Sequence, residues 1–238
     1  MPRSPVSGVE SPWLSVIVPT LNEAAGISAF LQQPSLKGND GIEVVVVDGA
    51  STDGTGDLAA LHAHRVLLAP RGRARQMNMG AHAAQGSWLL FLHADTVLPP
   101  RALAQIQAAA RAGRAWGRFD VAIDGVSPVL RLVSAMMNLR SRWSGIATGD
   151  QAIFVRRDVF DLVGGYPDQP LMEDVELSAR LMSLRQQIGK PACLRERVIT
   201  SGRRWEKRGV WRTIFLMWFL RWRYWRGEPA SSLADRYR

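Results

Sequence analysis

The stretch Glu43-Val-Val-Val-Val47 constrains the fold more than any other part of this chain. It is a short β-branched run ending on Asp48, and it reads as a buried strand. Leu14-Ser-Val-Ile-Val18, bounded by Pro12 and Pro19, reads the same way. Between the two, TLNEAAGISAFLQQ opens with the N-cap types Thr20 and Asn22 and continues through alanine and leucine, the pattern of a helix. After Asp48, the stretch DGASTDGTGDLAAL offers Ser51, Thr52 and Asp53 as the start of a second helix. Strand, helix, strand and helix in this order imply an α/β fold with a parallel sheet and right-handed crossovers. Ligands of such sheets bind at the carboxyl ends of the strands.

Two more strands fit the series. Arg65-Val-Leu-Leu-Ala69 leads into PRGRARQMNMGA, and Trp88-Leu-Leu-Phe-Leu92 leads into HADT. Polar residues therefore follow each strand and meet on one rim. Any one Asp, Ser or Thr there has an ordinary explanation as a cap or turn residue. Their repetition at successive strand ends points to a site.

At 238 residues, 47% hydrophobic, the chain can bury a sizeable core and fits one large domain, with or without an appendage. A single cysteine, Cys193, rules out an intrachain disulfide framework and reads as a small core residue. Residues 1–12, MPRSPVSGVESP, contain three prolines and no apolar h-region, so they read as a flexible leader and not a signal peptide. The expected location is the cytoplasm.

Five stretches in order, VIVPTLNE, VVVVDGASTDGT, RGRARQMNMG, FLHADT and GDQAIFVRRDVFDLVGGYPDQPLMEDVELSARL, resemble the motifs of family 2 glycosyltransferases. These are inverting enzymes with the nucleotide-diphosphosugar transferase (GT-A) fold. The resemblance runs from about Leu14 to Arg185 and implies a mostly parallel central sheet flanked by helices. It implies a nucleotide-diphosphate sugar as donor, with Pro19, Thr20, Asn22, Glu23 and Ser51 on the nucleotide side. Asp48 falls where an acidic residue accepts a hydrogen bond from the base; uracil offers its imide N–H, and guanine offers one as well. UDP-sugars are the favoured reading. Arg71, Arg73 and Arg75 fall in the loop facing the diphosphate, where guanidinium forks match phosphate oxygens.

The reaction needs neutralisation of the leaving diphosphate and a base for the acceptor's proton. In the resemblance Asp174 of LMEDVELSARL is that base, and its neighbour Glu173 orients the loop or contacts the acceptor. Asp95 of FLHADT takes the last position of the family's Asp-x-Asp motif, and His93 replaces the first carboxylate. This HAD variant implies a weakly bound Mn²⁺ or Mg²⁺, held by Asp95 with His93 and completed by diphosphate and water. Gly149, Asp150 and Gln151 fall on the acceptor side. Residues 124–148, with Met136, Met137 and Trp143, are expected to form a lid or an acceptor-binding segment.

The net charge is +9, and from Arg195 to Arg238 twelve Lys or Arg face four Asp or Glu, which places nearly all of the surplus in the tail. That segment also carries five of nine tryptophans. Cations and aromatics together suit a membrane interface at least as well as nucleic acid. TSGRRWEKRGVW resembles the Gln-x-x-Arg-Trp motif of processive relatives with Ser201 in place of Gln, so Arg204 and Trp205 are candidates near diphosphate and acceptor. Between Arg212 and Arg221 lie eight uncharged residues, too few to span a bilayer, which takes about 20. The expected organisation is a leader over 1–12, a catalytic domain over 13–199 and a basic aromatic helical tail over 200–238. The tail packs on the domain or lies on the inner face of the membrane, and a lipid-linked acceptor accounts for it best. A basic nucleic-acid-binding protein and a degenerate sugar-nucleotide-binding protein are the competing readings. The acidic strand-end motifs oppose the first, and His93 keeps the second open.

Overall fold

A computed structural model describes residues 11–39 and 41–237, with only the backbone described for residues 204 and 207. Residues 1–10 of the leader lie outside the described residues. The amino-terminal half runs β1 (Leu14–Thr20), α1 (Ala24–Leu31), β2 (Ile42–Asp48), α2 (Thr55–Ala60), β3 (Arg65–Leu68), α3 (Arg73–Ala83) and β4 (Trp88–Phe91). Next come β5 (Thr96–Val97), α4 (Ala102–Arg111), β6 (Trp116–Asp124), α5 (Val129–Ser144) and a 3-10 turn at Gly149–Gln151. The chain continues through β7 (Phe154–Arg156), α6 (Arg157–Leu162), α7 (Glu173–Ser183), α8 (Arg185–Ile188) and β8 (Ala192–Ser201). It closes with α9 (Arg203–Arg208), α10 (Val210–Trp225) and α11 (Ala230–Tyr237).

All eight strands form one sheet in the order β3-β2-β1-β4-β7-β6-β8-β5. The first four are mutually parallel, β7 runs antiparallel to β4 and β6, and β8 is parallel to β6. This is the mostly parallel, helix-flanked α/β sheet expected of a GT-A fold. The period of two along each strand divides the apolar runs between two cores. Leu14, Val16, Val18, Val44 and Val46 pack with Ile27 and Phe30 of α1 and Ile106 of α4. Ile17, Val45 and Val47 pack on the other face with Met77 of α3, Phe160 of α6 and Leu177 and Leu181 of α7. A strand covered on both faces has no polar side, which is why Glu43–Val47 shows no alternation. Close packing of α3 is set at Gly80, where a Cβ would lie 2.5 Å from Ile17 Cγ2 and 2.9 Å from Val47 Cγ2.

Two expectations are corrected. The boundary after residue 199 cuts through β8, whose Thr200 pairs with Thr96 and whose Ser201 pairs with Asp124, so the tail begins as part of the sheet. Cys193 is half-buried, not a core residue, because β8 lies near the sheet edge and only part of it is covered.

The tail packs on the catalytic domain. Leu220 is 0% exposed, and with Leu216, Leu233 and Ala234 it meets Leu171, Met172 and Val175 at the start of α7. Tyr224 adds a hydroxyl bond to Glu176 at 3.2 Å and accepts one from Gln169 at 3.3 Å. The opposite side of α10 leaves Trp211, Phe215, Trp218, Trp222 and Trp225 exposed. Among the described residues no helix is long and apolar enough to cross a membrane.

Candidate active site

The ends of β1 and β2 are tied to each other by side chains. Thr20 donates to Asp48 at 3.3 Å, the Ser51 N–H donates to the same carboxylate at 3.0 Å, and the Ser51 hydroxyl also bonds to it. The Asn22 N–H donates to Ser51 Oγ at 2.8 Å, and Asn22 Oδ1 accepts from the Thr52 N–H at 2.9 Å. Asp53 accepts from the Thr55 hydroxyl and from the Ala24 N–H, and these bonds hold its carboxyl below its ordinary value. Sequence reasoning missed Gln76, which is buried and donates to the carbonyls of Thr20 and Val47, both at 2.8 Å. Thr20 and Asp48 are thus a buried frame, and Asn22, Glu23 and Ser51 form the accessible edge above it.

The three loop arginines diverge. Arg73, the first residue of α3, lines a cavity with Glu173 and Asp174, and its charge favours both carboxylates in their ionised form. Arg75 instead pairs with Asp168 at 2.8 Å on the surface. Residues two apart on a helix are turned by about 200° from one another, and here Arg73 points to the cavity while Arg75 points to Asp168. Arg71 precedes the helix and is exposed.

The HAD loop is also divided. His93 Nδ1 lies 3.4 Å from Asp150 Oδ1, and its ring is pressed against Gly149, where a Cβ would stand 2.7 Å from Cε1 and Nε2. Asp95 lies near enough to Glu23, three residues past β1, for its charge to act there. Burial pushes the Glu23 carboxyl up, Arg203 at 3.7 Å opposes the rise, and the charge of Asp95 adds to it. Among the described residues no group of three or more His, Cys, Asp or Glu converges as a metal cage. Asp95, with the carboxylate of Glu23 near enough to feel its charge, is the residue that would hold a divalent cation here, and so small a ligand set would hold it only loosely.

Opposite this edge, Asp174 sits at the start of α7. Its Oδ2 accepts the Gly149 N–H at 2.7 Å and its Oδ1 accepts its neighbour Val175's N–H at 2.7 Å. Burial raises its carboxyl above the ordinary 3.8, against the pull of those two bonds, and Asp150 adds to the rise. Glu173 is buried, and it is raised by burial first and by the charge of Asp174 second. The residue before them, Met172, has φ of 63°. The other non-glycine residues with positive φ are Asn22, Ala50 and Ala152, each in a loop at this rim among the described residues. Backbone strain of this kind persists where the surroundings over-determine it.

Of the residues expected on the acceptor side, Gly149, Asp150 and Trp205 line one cavity of about 500 Å³ together with Glu173 and Asp174. Gln151 does not. It is 0% exposed, its Nε2 donates to Ser141 at 2.9 Å, and its Oε1 accepts from the Thr148 N–H at 3.2 Å. Its amide ends are held by the protein, so it positions the turn. The Arg204 side chain lies outside the described residues. Much of the remaining wall comes from α10 and from α5, which lies within the 124–148 segment and brings Met136 and Met137 to the cavity.

Residues 15–165 match the model of glycosyl transferase family 2. A PGL/p-HBAD biosynthesis glycosyltransferase of Mycobacterium bovis is 32% identical over 173 residues, 66% of this chain and 64% of that protein. This chain therefore spans less than two thirds of the length of those relatives. Among solved structures, the mannosyltransferase PcManGT from Pyrobaculum calidifontis, in complex with GDP-Man and Mn²⁺, superposes with TM-score 0.59 at 24% identity over 79% of this chain and 56% of that one. S. aureus TarS in complex with UDP-GlcNAc gives TM-score 0.59 at 20% identity over 79% of this chain and 58% of that one. These likenesses concern the fold, whereas the family match covers most of the sheet and the strand-end loops. The chain belongs to glycosyl transferase family 2.

Proposed function

We propose that this protein is an inverting glycosyltransferase that moves a sugar from a nucleotide diphosphate, UDP-sugars favoured, to an acceptor bound in the cavity beside Asp174. The observation that carries the reading is the placement of Asp174. A carboxylate with both oxygens held by backbone N–H groups stands at the wall of a cavity that Arg73 and His93, from the segments after β3 and β4, also line. Acting as general base, Asp174 takes the proton of the acceptor hydroxyl as that oxygen attacks the anomeric carbon. Asn22, Glu23 and Ser51 receive the nucleotide above the Thr20–Asp48 frame, and Arg73 stands on the diphosphate side. A divalent cation held by Asp95 would supply charge neutralisation for the leaving diphosphate. His93, against Asp150 and Gly149, keeps the 3-10 turn in place on the acceptor side.

The exposed aromatic face of α10, interleaved with Arg212, Arg221 and Arg223, supports contact with a membrane surface and a lipid-linked acceptor. The deciding experiment is a screen of nucleotide sugars for nucleoside diphosphate release, with and without Mn²⁺ or Mg²⁺. Release with one donor that disappears in Asp174→Asn is the expected result; equal release in that variant removes Asp174 as base.

A further inference from the structure

Arg140, on α5, is a guanidinium that the catalytic scheme leaves without a task. It forms part of the cavity wall, yet its Nε and Nη2 are shut off from solvent and have no hydrogen-bond partner. Its surroundings disfavour its charge: burial lowers its pKa, and Arg118 nearby acts in the same direction. Arg118 is bonded to Asp120 and to the Asn138 carbonyl, whereas Arg140 has only the through-space charge of Asp174 on its side. Neither Nε nor Nη2 of Arg140 is bonded to Asp174, whose two oxygens accept instead from the Gly149 and Val175 N–H groups. A guanidinium with two nitrogens shut off and unpaired is costly, and an acidic group is the partner that its donors match.

One part of the lining is polar, with Arg73, His93, Asp150, Glu173 and Asp174, and Arg221 adds a further cation; much of the remainder is apolar. Val133 and Met137 of α5 face Ile214 and Met217 of α10, and the mouth is rimmed by exposed Met136 and Trp218. Its volume of about 500 Å³ suits a small organic body.

We propose that this cavity binds an amphiphile carrying a phosphate or carboxylate, with the acid on Arg140, the apolar body between α5 and α10, and a hydroxyl presented to Asp174. No hydrogen bond restrains Nε and Nη2, so a turn about the last side-chain torsions brings them to the ligand. That this amphiphile is the sugar acceptor rests on the transferase reading; that the cavity binds it does not.

The test is a titration of the purified full chain with octyl phosphate and with octanol, read by the fluorescence of Trp205, Trp211 and Trp218, which line the cavity. Octyl phosphate is expected to bind about tenfold more tightly or better, the scale of one charged hydrogen-bonded contact. Arg140→Met is expected to abolish that preference with octanol binding retained, and Arg140→Lys to keep part of it. Equal affinities in the wild-type protein, or a preference that survives Arg140→Met, overturn the proposal, and the first of these needs no variant to fold. A parallel arm uses phosphatidylcholine vesicles with and without phosphatidic acid. Arg140-dependent cosedimentation with the acidic vesicles places the acid on a membrane lipid, and Arg140-dependent octyl phosphate binding without it places the acid on a free amphiphile. Because no donor is present, failure of donor hydrolysis with the Arg140 preference intact rejects the transferase reading alone.

Discussion

The backbone N–H of Gly149 donates to Asp174 Oδ2 at 2.7 Å and so ties the turn after α5 to the first residues of α7. With the Val175 bond on the other oxygen, the carboxylate is fixed before any substrate arrives. A general base contributes about 10²- to 10⁴-fold, so Asp174→Asn is expected to lower transfer by that order with nucleotide binding retained. Steady-state kinetics alongside calorimetric UDP binding checks this.

Gly149→Ala tests the same bond from the other side. The added Cβ would lie 2.7 Å from the His93 ring and 3.8 Å from Asp174 Oδ2, so either the ring or the turn must move. A misplacement of this size near the chemistry is expected to reduce kcat by roughly 10- to 100-fold. Pairing the substitution with His93→Ala, which removes the obstruction, is expected to restore part of the rate; no rescue would argue that His93 is not what the new methyl meets.

The pH profile follows from burial. Asp174 is pushed above its ordinary 3.8 by burial, and it acts only when ionised, so kcat/KM is expected to rise with pH through a midpoint above that value. Stability runs the other way. Glu173 and Asp174 both take up protons more readily folded than unfolded, so their contribution is most favourable at low pH and is lost as pH rises from their ordinary values of 4.5 and 3.8 through the raised ones. Glu173→Gln is therefore expected to melt higher than wild type at neutral pH, with the gain vanishing below pH 4.5. Thermal melts across the range decide it.

The division of the HAD loop separates two variants. Asp95→Ala is expected to weaken Mn²⁺-dependent UDP binding about tenfold or more, whereas His93→Ala should leave that dependence largely intact and depress transfer. Equal loss of the Mn²⁺ response in both would return His93 to the metal.

In α10 the two faces should respond differently. Trp218→Ala combined with Trp222→Ala is expected to shift stability by only about 0.5 kcal/mol and to reduce cosedimentation with anionic vesicles at low salt. Leu220→Ala, at a fully buried position, is expected to cost about 2–5 kcal/mol. Urea unfolding and vesicle binding together check the pair.

The sequence alone determined the sheet and its site-bearing rim. Glu43–Val47 and Leu14–Val18 are runs that no solvent-facing strand could carry, and the polar residues following each strand marked the loops that the structure brings together. It also placed Asp174 and the HAD loop by order along the chain. Tertiary structure decided which of these residues face one another. Helical rotation separates Arg73 from Arg75, packing turns Gln151 inward, and His93 goes to Asp150 while Asp95 lies near Glu23. The sequence marked residues 124–148 and Trp205 as acceptor candidates but not that α5 and α10 wall one cavity, because these helices lie about 80 residues apart in the chain and meet only after folding. Arg140 carries no motif, and whether an arginine is solvated or buried without a partner depends on what the rest of the chain lays over it.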